Sequence, residues 1–313
     1  MTVFSLGHEY MLSVAQDVFK PDLVAEGSSC GAHKKVLLCR DQTQRYAIHF
    51  VERADKDLVL SGIKIRQKMA EAGLRFPRHL ALEENAFPFL VIVEEAIGGR
   101  DLEHCLGDLS IGDTRMIAQS VADTVKASAQ IFHPSSHRVG HHLLGQSAAT
   151  QDMRTFFQDG LRMARQGLLE KDDVQLLPAL QRLLAVSHER SFNAPSQTFL
   201  WDVLERNIMV EGGLVAGFVD QDGLMTGDIF QVPAWASVYL EMKGFAFTQA
   251  YVQAWMERWG AKAEHWERFG LYRASYGLFQ EARSGQIEAS GRIKQGICRK
   301  TLLSWIQEAL QEK

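Results

Sequence analysis

The sequence has little of what marks secreted, membrane-spanning or nucleic-acid-binding proteins. Its four cysteines lack the paired spacing of a zinc site or a disulfide framework, which suits a reducing cytoplasm. The first residues are not basic and do not look like a secretory signal, and apolar runs such as Phe87 to Val93 are too short to cross a bilayer. The net charge of −4 gives no argument for nucleic acid or an anionic membrane as a partner. We expect a cytoplasmic monomer or homodimer that binds neither.

Two regions with different hydrophobic patterns follow one another along the chain. Short apolar runs separated by turn residues such as Asp41 predict three strands between about residues 22 and 51. A helix capped by Asp55 or Asp57 follows, and two more strands are expected near Ala81–Glu83 and Leu90–Glu94. The first region is therefore predicted to be rich in strands and to end near residue 95.

The rest of the chain is predicted to be mainly helical. Ile117, Val121 and Val125 recur at four-residue steps, which places them on one face of a helix. Further helices are expected at 151–168, at 173–187 and from about 234 onward. The 313 residues are 46% hydrophobic, enough for a large core. We predict an α+β chain with a small antiparallel-sheet lobe at 1–95 and a larger helical lobe at 96–313.

The most informative segment contains Asp202, Asn207 five positions later and Asp220 thirteen positions beyond that. Ile208-Met209-Val210 and the run from Leu214 to Val219 are predicted strands, joined by a Glu-Gly-Gly turn. Such a hairpin brings Asn207 and Asp220 to one edge, where their oxygen atoms can hold Mg²⁺ against nucleotide phosphates. Asp202, on the loop before them, is then placed to orient or deprotonate a hydroxyl. The spacing indicates a phosphoryl-transfer site.

At these residues the chain resembles the aminoglycoside phosphotransferase and choline kinase family of small-molecule kinases. The family's His-Gly-Asp-x-x-x-x-Asn loop and Ile-Asp-Trp/Phe-Asp/Glu hairpin are matched at Asp202, Asn207 and Asp220. Other matching segments follow in the family's order: Arg45-Tyr46-Ala47-Ile48-His49, Ala72-Gly73-Leu74-Arg75-Phe76-Pro77, the hinge-like run from Val91 to Leu102, and Gly227-Asp228 with Pro233-Ala234-Trp235. The resemblance implies a bilobal, protein-kinase-like fold, ATP or GTP as co-substrate, Mg²⁺ as cofactor and a small-molecule acceptor.

The resemblance also implies a role for each matched residue. Asp202 would be the catalytic base or the group that positions the hydroxyl, and Asn207 and Asp220 would be the magnesium ligands. Asp222 is an additional acid, and its role stays open between a second metal ligand, a substrate contact and a solvated turn residue.

Nucleotide contacts are expected from the first lobe. The adenine would lie against the hinge at about 94–97, at Glu94 and Ala96. The Gly-Ser-Ser-Cys-Gly segment at 27–31 is either a plain hairpin turn or a loop whose backbone N–H groups cover the phosphates. The phosphate contacts expected in this loop are Gly27, Ser28, Ser29 and Gly31.

The match breaks at the phosphate-binding lysine of the family. That position falls on His49, and the helix glutamate that pairs with the lysine falls on Gly62. Three replacements stay open: His49 itself, whose charged form a nearby triphosphate favours, or Lys34 or Lys35 from the adjacent strand. Both lysines can equally be solvated charges at the edge of the sheet.

We expect transfer of the γ-phosphate of ATP or GTP to a hydroxyl of a small molecule. An acidic cleft formed by Asp202, Asp220, Asp222 and Asp228 would suit a cationic or polyhydroxylated acceptor. The alternative is a pseudokinase of the same fold, which binds a nucleotide or other ligand as a regulatory protein. Replacement of the family's lysine, glutamate and loop histidine favours this alternative, and retention of Asp202, Asn207 and Asp220 argues against it.

Overall fold

The chain folds into two lobes, as the sequence predicts. The computed structural model describes residues 2–30, 34–134, 138–143, 146–189, 195–287 and 293–310. Its helices are α1 (His8–Val18), α2 (Lys56–Glu71), α3 (Leu102–Cys105), α4 (Ile111–Ile131), α5 (Met153–Glu170), α6 (Leu177–Glu189), α7 (Gln231–Met242), α8 (Thr248–Arg258), α9 (Ala263–Arg283) and α10 (Arg299–Leu310). Its strands are β1 (Val24–Cys30), β2 (Lys34–Arg40), β3 (Arg45–Glu52), β4 (His79–Glu83), β5 (Phe89–Glu95), β6 (Arg100–Asp101), β7 (Gly140–His142), β8 (Gln197–Leu200), β9 (Ile208–Glu211), β10 (Leu214–Phe218) and β11 (Leu224–Gly227).

The first lobe is built on a five-stranded antiparallel sheet with the strand order β1-β2-β3-β5-β4. Successive side chains of a strand point to opposite faces, and both faces of this sheet are covered. Ile48 and Phe50 of β3 belong to one buried cluster with Met11 of α1. Val51 belongs to a second cluster with Val59 of α2. The face toward α2 is the one that approaches the second lobe.

The second lobe is a packed set of helices. Helix α4 packs on α8, and α9 packs on both α5 and α7. Helix α4 begins with a capping box in which the side chains of Ser110 and Asp113 satisfy backbone N–H groups of the first turn. Phe199 and Leu200 of β8 are buried in the same core as α4, so the segment that leads to Asp202 is firmly anchored.

The hairpin predicted after Asn207 is present as β9 and β10. Glu211 pairs with Leu214 across a two-residue turn, in which Gly212 and Gly213 have φ of +57° and +76°. Two central residues with positive φ are typical of the turn that matches strand twist, and glycine adopts this conformation at little cost. Strand β6 pairs with β9 and ties the hairpin to the segment that connects the lobes.

Three features of the fold differ from the sequence-based expectation or were missed by it. Helix α1 and the three-stranded sheet of β7, β11 and β8 had no prediction. Residues 27–29 lie within β1 instead of forming a turn, and Gly31 lies outside the described residues. None of the helices in the described part of the chain has the length and hydropathy needed to cross a bilayer.

Candidate active site

The hairpin places Asn207 and Asp220 side by side. The Val219 N–H donates to the Asn207 carbonyl at 2.9 Å, which joins the two ends of the hairpin just before Asp220. Asp220 has a φ of +63°, a left-handed conformation that is uncommon outside glycine and easier for Asp than for most residues. This kink ends the strand and turns the Asp220 side chain into the space between the lobes, where it lines a cleft.

Asp202 is held next to this pair by two amide side chains. Its carbonyl accepts hydrogen bonds from Asn207 Nδ2 at 2.9 Å and from Gln221 Nε2 at 2.7 Å. Because the Asn207 nitrogen is used in this bond, its amide oxygen is the atom left to act as a ligand. Burial raises the pKa of the Asp202 carboxyl, Arg206 opposes this shift and the Asp220 carboxylate adds to it, which gives a pKa of about 6.

A buried lysine from the first lobe reaches the two acids of the hairpin. Lys34, at the start of β2, is 7% exposed; its Nζ forms an ion pair with Asp220 and lies 3.1 Å from Asp222 Oδ2. Burial opposes the charged form of Lys34, but Asp220 and Asp222 outweigh it and raise the pKa of Lys34. Burial also opposes ionisation of Asp220, yet attraction to Lys34 lowers the pKa of Asp220 to about 2. The pair is therefore charged on both sides near neutral pH.

Asp222 is held in turn by a buried arginine. Arg66 of α2 places one guanidinium nitrogen 2.9 Å from Asp222 Oδ1 and another 2.8 Å from Glu94 Oε1. Glu94 Oε2 lies 3.2 Å from His49 Nε2. Burial raises the pKa of Glu94, but Arg66 and His49 together outweigh burial and hold this pKa well below its usual range. Lys34, Asp222, Arg66 and Glu94 thus form a chain of alternating charges from the cleft to the sheet.

Gly62 explains how α2 comes so close to this chain. A Cβ atom at Gly62 would lie 2.4 Å from Asp222 Oδ1 and 2.9 Å from a nitrogen of Arg66, both far inside contact distance. The carboxylate of Asp222, from the other lobe, therefore occupies the space next to the helix position where the resemblance expects a glutamate. The acid that meets Lys34 here comes from the segment after β10 and not from α2.

These groups line a cleft of about 410 Å³ between the lobes. Its wall contains Lys34, Asp202, Arg206, Asp220, Asp222 and, toward the second lobe, His141, Trp201, Trp235 and Tyr239. The charges of three acids and three cations approximately balance here. The cations are Lys34 and Arg206 in the wall and Arg66 behind Asp222. The prediction of an acidic cleft is wrong for one residue, because Asp228 is buried elsewhere. Its Oδ2 lies 2.6 Å from Arg268 Nε and 3.0 Å from the Tyr272 hydroxyl.

Several of the nucleotide contacts expected from the sequence lie apart from this cleft. Lys35 points to the other face of the sheet, where its Nζ donates to the Leu6 carbonyl at 2.6 Å. His49 and Glu94 lie behind Arg66 and pair with each other. The Ala96 N–H donates to the Arg45 carbonyl at 3.0 Å. Ser28 and Ser29 are exposed on β1, which ends at Cys30 on the rim of the cleft.

Magnesium fits the residues that remain. Among the described residues, no three His, Cys, Asp or Glu side chains are grouped closely enough to hold a metal ion by themselves. Mg²⁺ usually takes one or two protein oxygen ligands and completes its shell with substrate phosphates and water. The Asn207 amide oxygen and the Asp220 carboxylate can supply such a pair. Asp222 has one oxygen facing Lys34 and the other facing Arg66, so it is committed to the two cations.

Solved structures with the same fold match nearly the whole chain. A thermostable mutant of aminoglycoside phosphotransferase APH(4)-Ia, in complex with AMP-PNP and hygromycin B, gives a TM-score of 0.65 at 16% identity over 95% of both chains. ADP-bound aminoglycoside phosphotransferase APH(2'')-Ib gives 0.61 at 14% identity, over 98% of this chain and 97% of that one. A putative fructosamine-3-kinase from Haemophilus somnus 129PT gives 0.58 at 13% identity, over 96% and 97%.

These matches confirm the predicted bilobal, kinase-like α+β fold, and with it the resemblance to small-molecule kinases at the level of the fold. Neither the protein-family models nor the curated proteins give a match. At such identities the likeness does not carry over a substrate, so the chemistry must be argued from the side chains.

Proposed function

We propose that the protein transfers the γ-phosphate of ATP to a hydroxyl of a small molecule. The observation that carries the proposal is the convergence of Asp202, Asp220 and Lys34 on one interlobe cleft, with the buried Asn207 amide bonded to the Asp202 carbonyl. The fold is shared with proteins crystallised with AMP-PNP or ADP, which supports an adenine nucleotide as the co-substrate.

Asp202 is the group that we assign to the acceptor hydroxyl. Its backbone is fixed by two hydrogen bonds, so its carboxylate has a defined position at the wall of the cleft. A pKa of about 6 leaves it mostly ionised at neutral pH but basic enough to accept a proton in the transition state. It can therefore orient the hydroxyl for attack and take up its proton.

Lys34 is the group that we assign to the inner phosphates of the nucleotide. Among the described residues it is the lysine that lines the cleft, whereas Lys35 points to the segment that precedes α1 and His49 pairs with Glu94. Asp222 holds the Lys34 ammonium from one side, and Arg66 and Glu94 hold Asp222. A phosphate binder needs such support because a free lysine side chain loses about 2 kcal/mol of rotamer entropy on being fixed.

Asn207 and Asp220 would hold magnesium. When bound, this ion neutralises the charge that develops on the phosphate oxygens. The ion pair between Lys34 and Asp220 keeps the Asp220 carboxylate charged in the absence of ligand, which leaves it ready for a cation. Nucleotide phosphates would then attract Lys34 and free the Asp220 oxygen.

A second candidate function is nucleotide binding without turnover. It is favoured by the same ion pair, because Lys34 places a positive charge directly on the expected metal ligand and so offers a substitute for the metal. In this regulatory protein the nucleotide would bind equally well with and without Mg²⁺.

The test is phosphoryl transfer together with the metal dependence of nucleotide binding. We expect wild-type protein to bind ATP more tightly with Mg²⁺ than with EDTA and to transfer ³²P from γ-labelled ATP to an alcohol. Asp202→Asn should still bind MgATP but lose transfer by about 10²-fold or more. If wild-type protein bound ATP with equal affinity in Mg²⁺ and in EDTA and transferred no phosphate, the result would contradict the phosphotransferase function and support the regulatory one.

A further inference from the structure

We infer that the acceptor is a neutral alcohol that carries a flat ring system, and that it binds in an aromatic cavity beside Asp202. Its role as acceptor rests on the function proposed above. Binding in the cavity rests on separate observations and can be measured without any transfer.

The cavity lies in the second lobe, between α5, α7 and α9, and has a volume of about 320 Å³. Its walls are largely aromatic: Phe156, Trp201, Trp235, Tyr276 and Phe279 line it, with His141 at one side. His141, Trp201 and Trp235 also line the catalytic cleft, so the two spaces meet at these side chains. The volume is near the lower end of the range for small-molecule sites, which is about 300–1,000 Å³.

The aromatic rings hold one another in place. Trp201 and Trp235 are stacked, with centroids 5.6 Å apart and an interplanar angle of 22°. Tyr276 meets Trp235 edge-on at 5.0 Å, and its hydroxyl donates to Gln231 Oε1 at 2.6 Å. Rigid aromatic walls of this kind favour flat ring systems, which gain both buried apolar area and ring stacking.

Apart from Asp202, the proposed base, the acids near the cavity already have partners, which argues against a polycationic acceptor. Asp159 on the rim has its carboxylate 2.6 Å from Arg162. Asp228, behind the wall, is bound by Arg268. Asp222 in the adjoining cleft is bound by Lys34 and Arg66. An acceptor with several ammonium groups would thus have to break existing ion pairs to find its own.

The junction of the two spaces explains how a ring alcohol would react. Trp201 directly precedes Asp202, so a ring packed against Trp201 can direct a hydroxyl substituent toward the carboxylate. The hydroxyl oxygen forms a bond to the γ-phosphorus of ATP, the bond from that phosphorus to the bridging oxygen breaks, and ADP leaves. The hydroxyl proton passes to Asp202. Trp235, on the wall shared by the two spaces, has a buried indole N–H without an acceptor among the described residues.

Gly160 offers a way to fill the cavity without disturbing the fold. It lies within α5 on the cavity wall, and a Cβ atom there would meet no atom within 4 Å. Gly160→Phe should place a ring in the cavity and, because glycine is a poor helix former, leave α5 at least as stable. Gly270→Phe is the matched control: Gly270 is also a helical glycine with open space around its Cβ, but it lies on α9 outside this cavity.

The probe is 2-naphthaleneethanol, with choline and hygromycin B as the singly and multiply charged comparisons. Calorimetry should show binding of the probe to wild type and to Gly270→Phe, and at least about tenfold weaker binding to Gly160→Phe. If either glycine variant melts at a lower temperature than wild type, Phe279→Ala and Phe247→Ala give a second pair. Phe247 is also a partly buried phenylalanine, but it lies at the start of α8, outside the cavity. Equal probe binding in wild type, Gly160→Phe and Phe279→Ala would overturn the cavity assignment. If choline bound more tightly than the probe, and Gly160→Phe abolished that binding, the inference that the acceptor is neutral would be overturned.

Transfer of ³²P separates this inference from the proposed function. We expect transfer to 2-naphthaleneethanol that falls in Gly160→Phe and persists in Gly270→Phe. Transfer to choline or hygromycin B that Gly160→Phe leaves unchanged would overturn the inference and keep the phosphotransferase. No transfer to any of the three, with probe binding intact, would contradict the phosphotransferase and the acceptor role, while the cavity would stand as a binding site.

Discussion

The alternating direction of side chains along β2 decides which lysine supplies the positive charge of the site. Lys34 and Lys35 are neighbours in sequence, but β2 sends the first toward α2 and the second toward the segment that precedes α1. Lys34 pairs across the sheet with Val51 of β3, two residues beyond His49 on the same face. The charge of the site therefore comes from the strand next to the one where the resemblance expects it.

Gly62→Ala should impair the site more than it impairs stability. The new methyl group would push Asp222 away from Lys34, because its Cβ would lie 2.4 Å from the Asp222 carboxylate. We expect the KM for ATP to rise about tenfold, the effect of losing about 1.4 kcal/mol of binding. Gly270→Ala, also in a helix but with nothing near its Cβ, should leave this KM unchanged and raise stability by up to about 1 kcal/mol. Equal KM values in the two variants would contradict the packing argument.

Asp202→Asn should stabilise the protein at neutral pH while it removes activity. Burial raises the pKa of Asp202 to about 6, so the folded state holds this proton more tightly than the unfolded chain does. Stability is thus lost as pH rises from about 4 to 6, and the loss is complete above pH 6. We expect the variant to gain on the order of 1–2 kcal/mol at pH 7.5 and nothing near pH 3, measured by urea denaturation.

The same pKa predicts the pH dependence of transfer. The carboxylate form of Asp202 is the active one, so kcat/KM should rise with pH through about 6 and then level off. A rate that is flat between pH 5 and 7 would show that Asp202 does not take up the hydroxyl proton.

At the level of secondary-structure elements, the β9–β10 hairpin brings together Asn207 and Asp220, the proposed magnesium ligands. Gly213→Ala should cost on the order of 1–3 kcal/mol of stability, because Gly213 has positive φ and its Cβ would lie 2.6 Å from Asp113 Oδ1. Gly212→Asn should cost much less, since asparagine tolerates positive φ and nothing lies within 4 Å there. Thermal unfolding compares the two, and equal melting temperatures would contradict the role of the Asp113 contact.

The sequence predicts best those elements whose partners are close along the chain. The hairpin follows from two short apolar runs around Gly212 and Gly213, and its ends bring Asn207 and Asp220 together without reference to the rest of the molecule. The sheet of β7, β11 and β8 could not be predicted in this way. Its strands are three or four residues long, and β7 is separated from its partner β11 by some 80 residues, so no local pattern marks the pairing.

Across the whole molecule, ion pairs between the lobes join the parts of the site. Arg66 and Lys34 come from the first lobe, and Asp220 and Asp222 from the second. The sequence supplied these residues but not their pairing, because the acid of the second lobe that meets each cation lies more than 150 positions away. Gly62 did not reveal the pairing by itself, because helical glycines such as Gly160 and Gly270 have nothing near their Cβ positions.

Arg66→Met should destabilise the protein by about 3–5 kcal/mol, because it removes the cation shared by the buried Glu94 and the half-buried Asp222. Arg78→Met is the matched control, since Arg78 pairs with Glu95 on the surface and should contribute less than about 1 kcal/mol. Chemical denaturation of both variants measures the difference. Similar losses would show that the buried chain of charges does not hold the lobes together.

The affinity for MgATP in two lysine variants tests the account most directly. Lys34→Ala removes the ammonium that faces Asp220 and Asp222, whereas Lys35→Ala removes its neighbour on the opposite face of β2. We predict that calorimetry gives at least about tenfold weaker MgATP binding for Lys34→Ala and an unchanged dissociation constant for Lys35→Ala. Unchanged binding in Lys34→Ala, or an equal loss in both variants, would contradict the assignment of the phosphate site to β2.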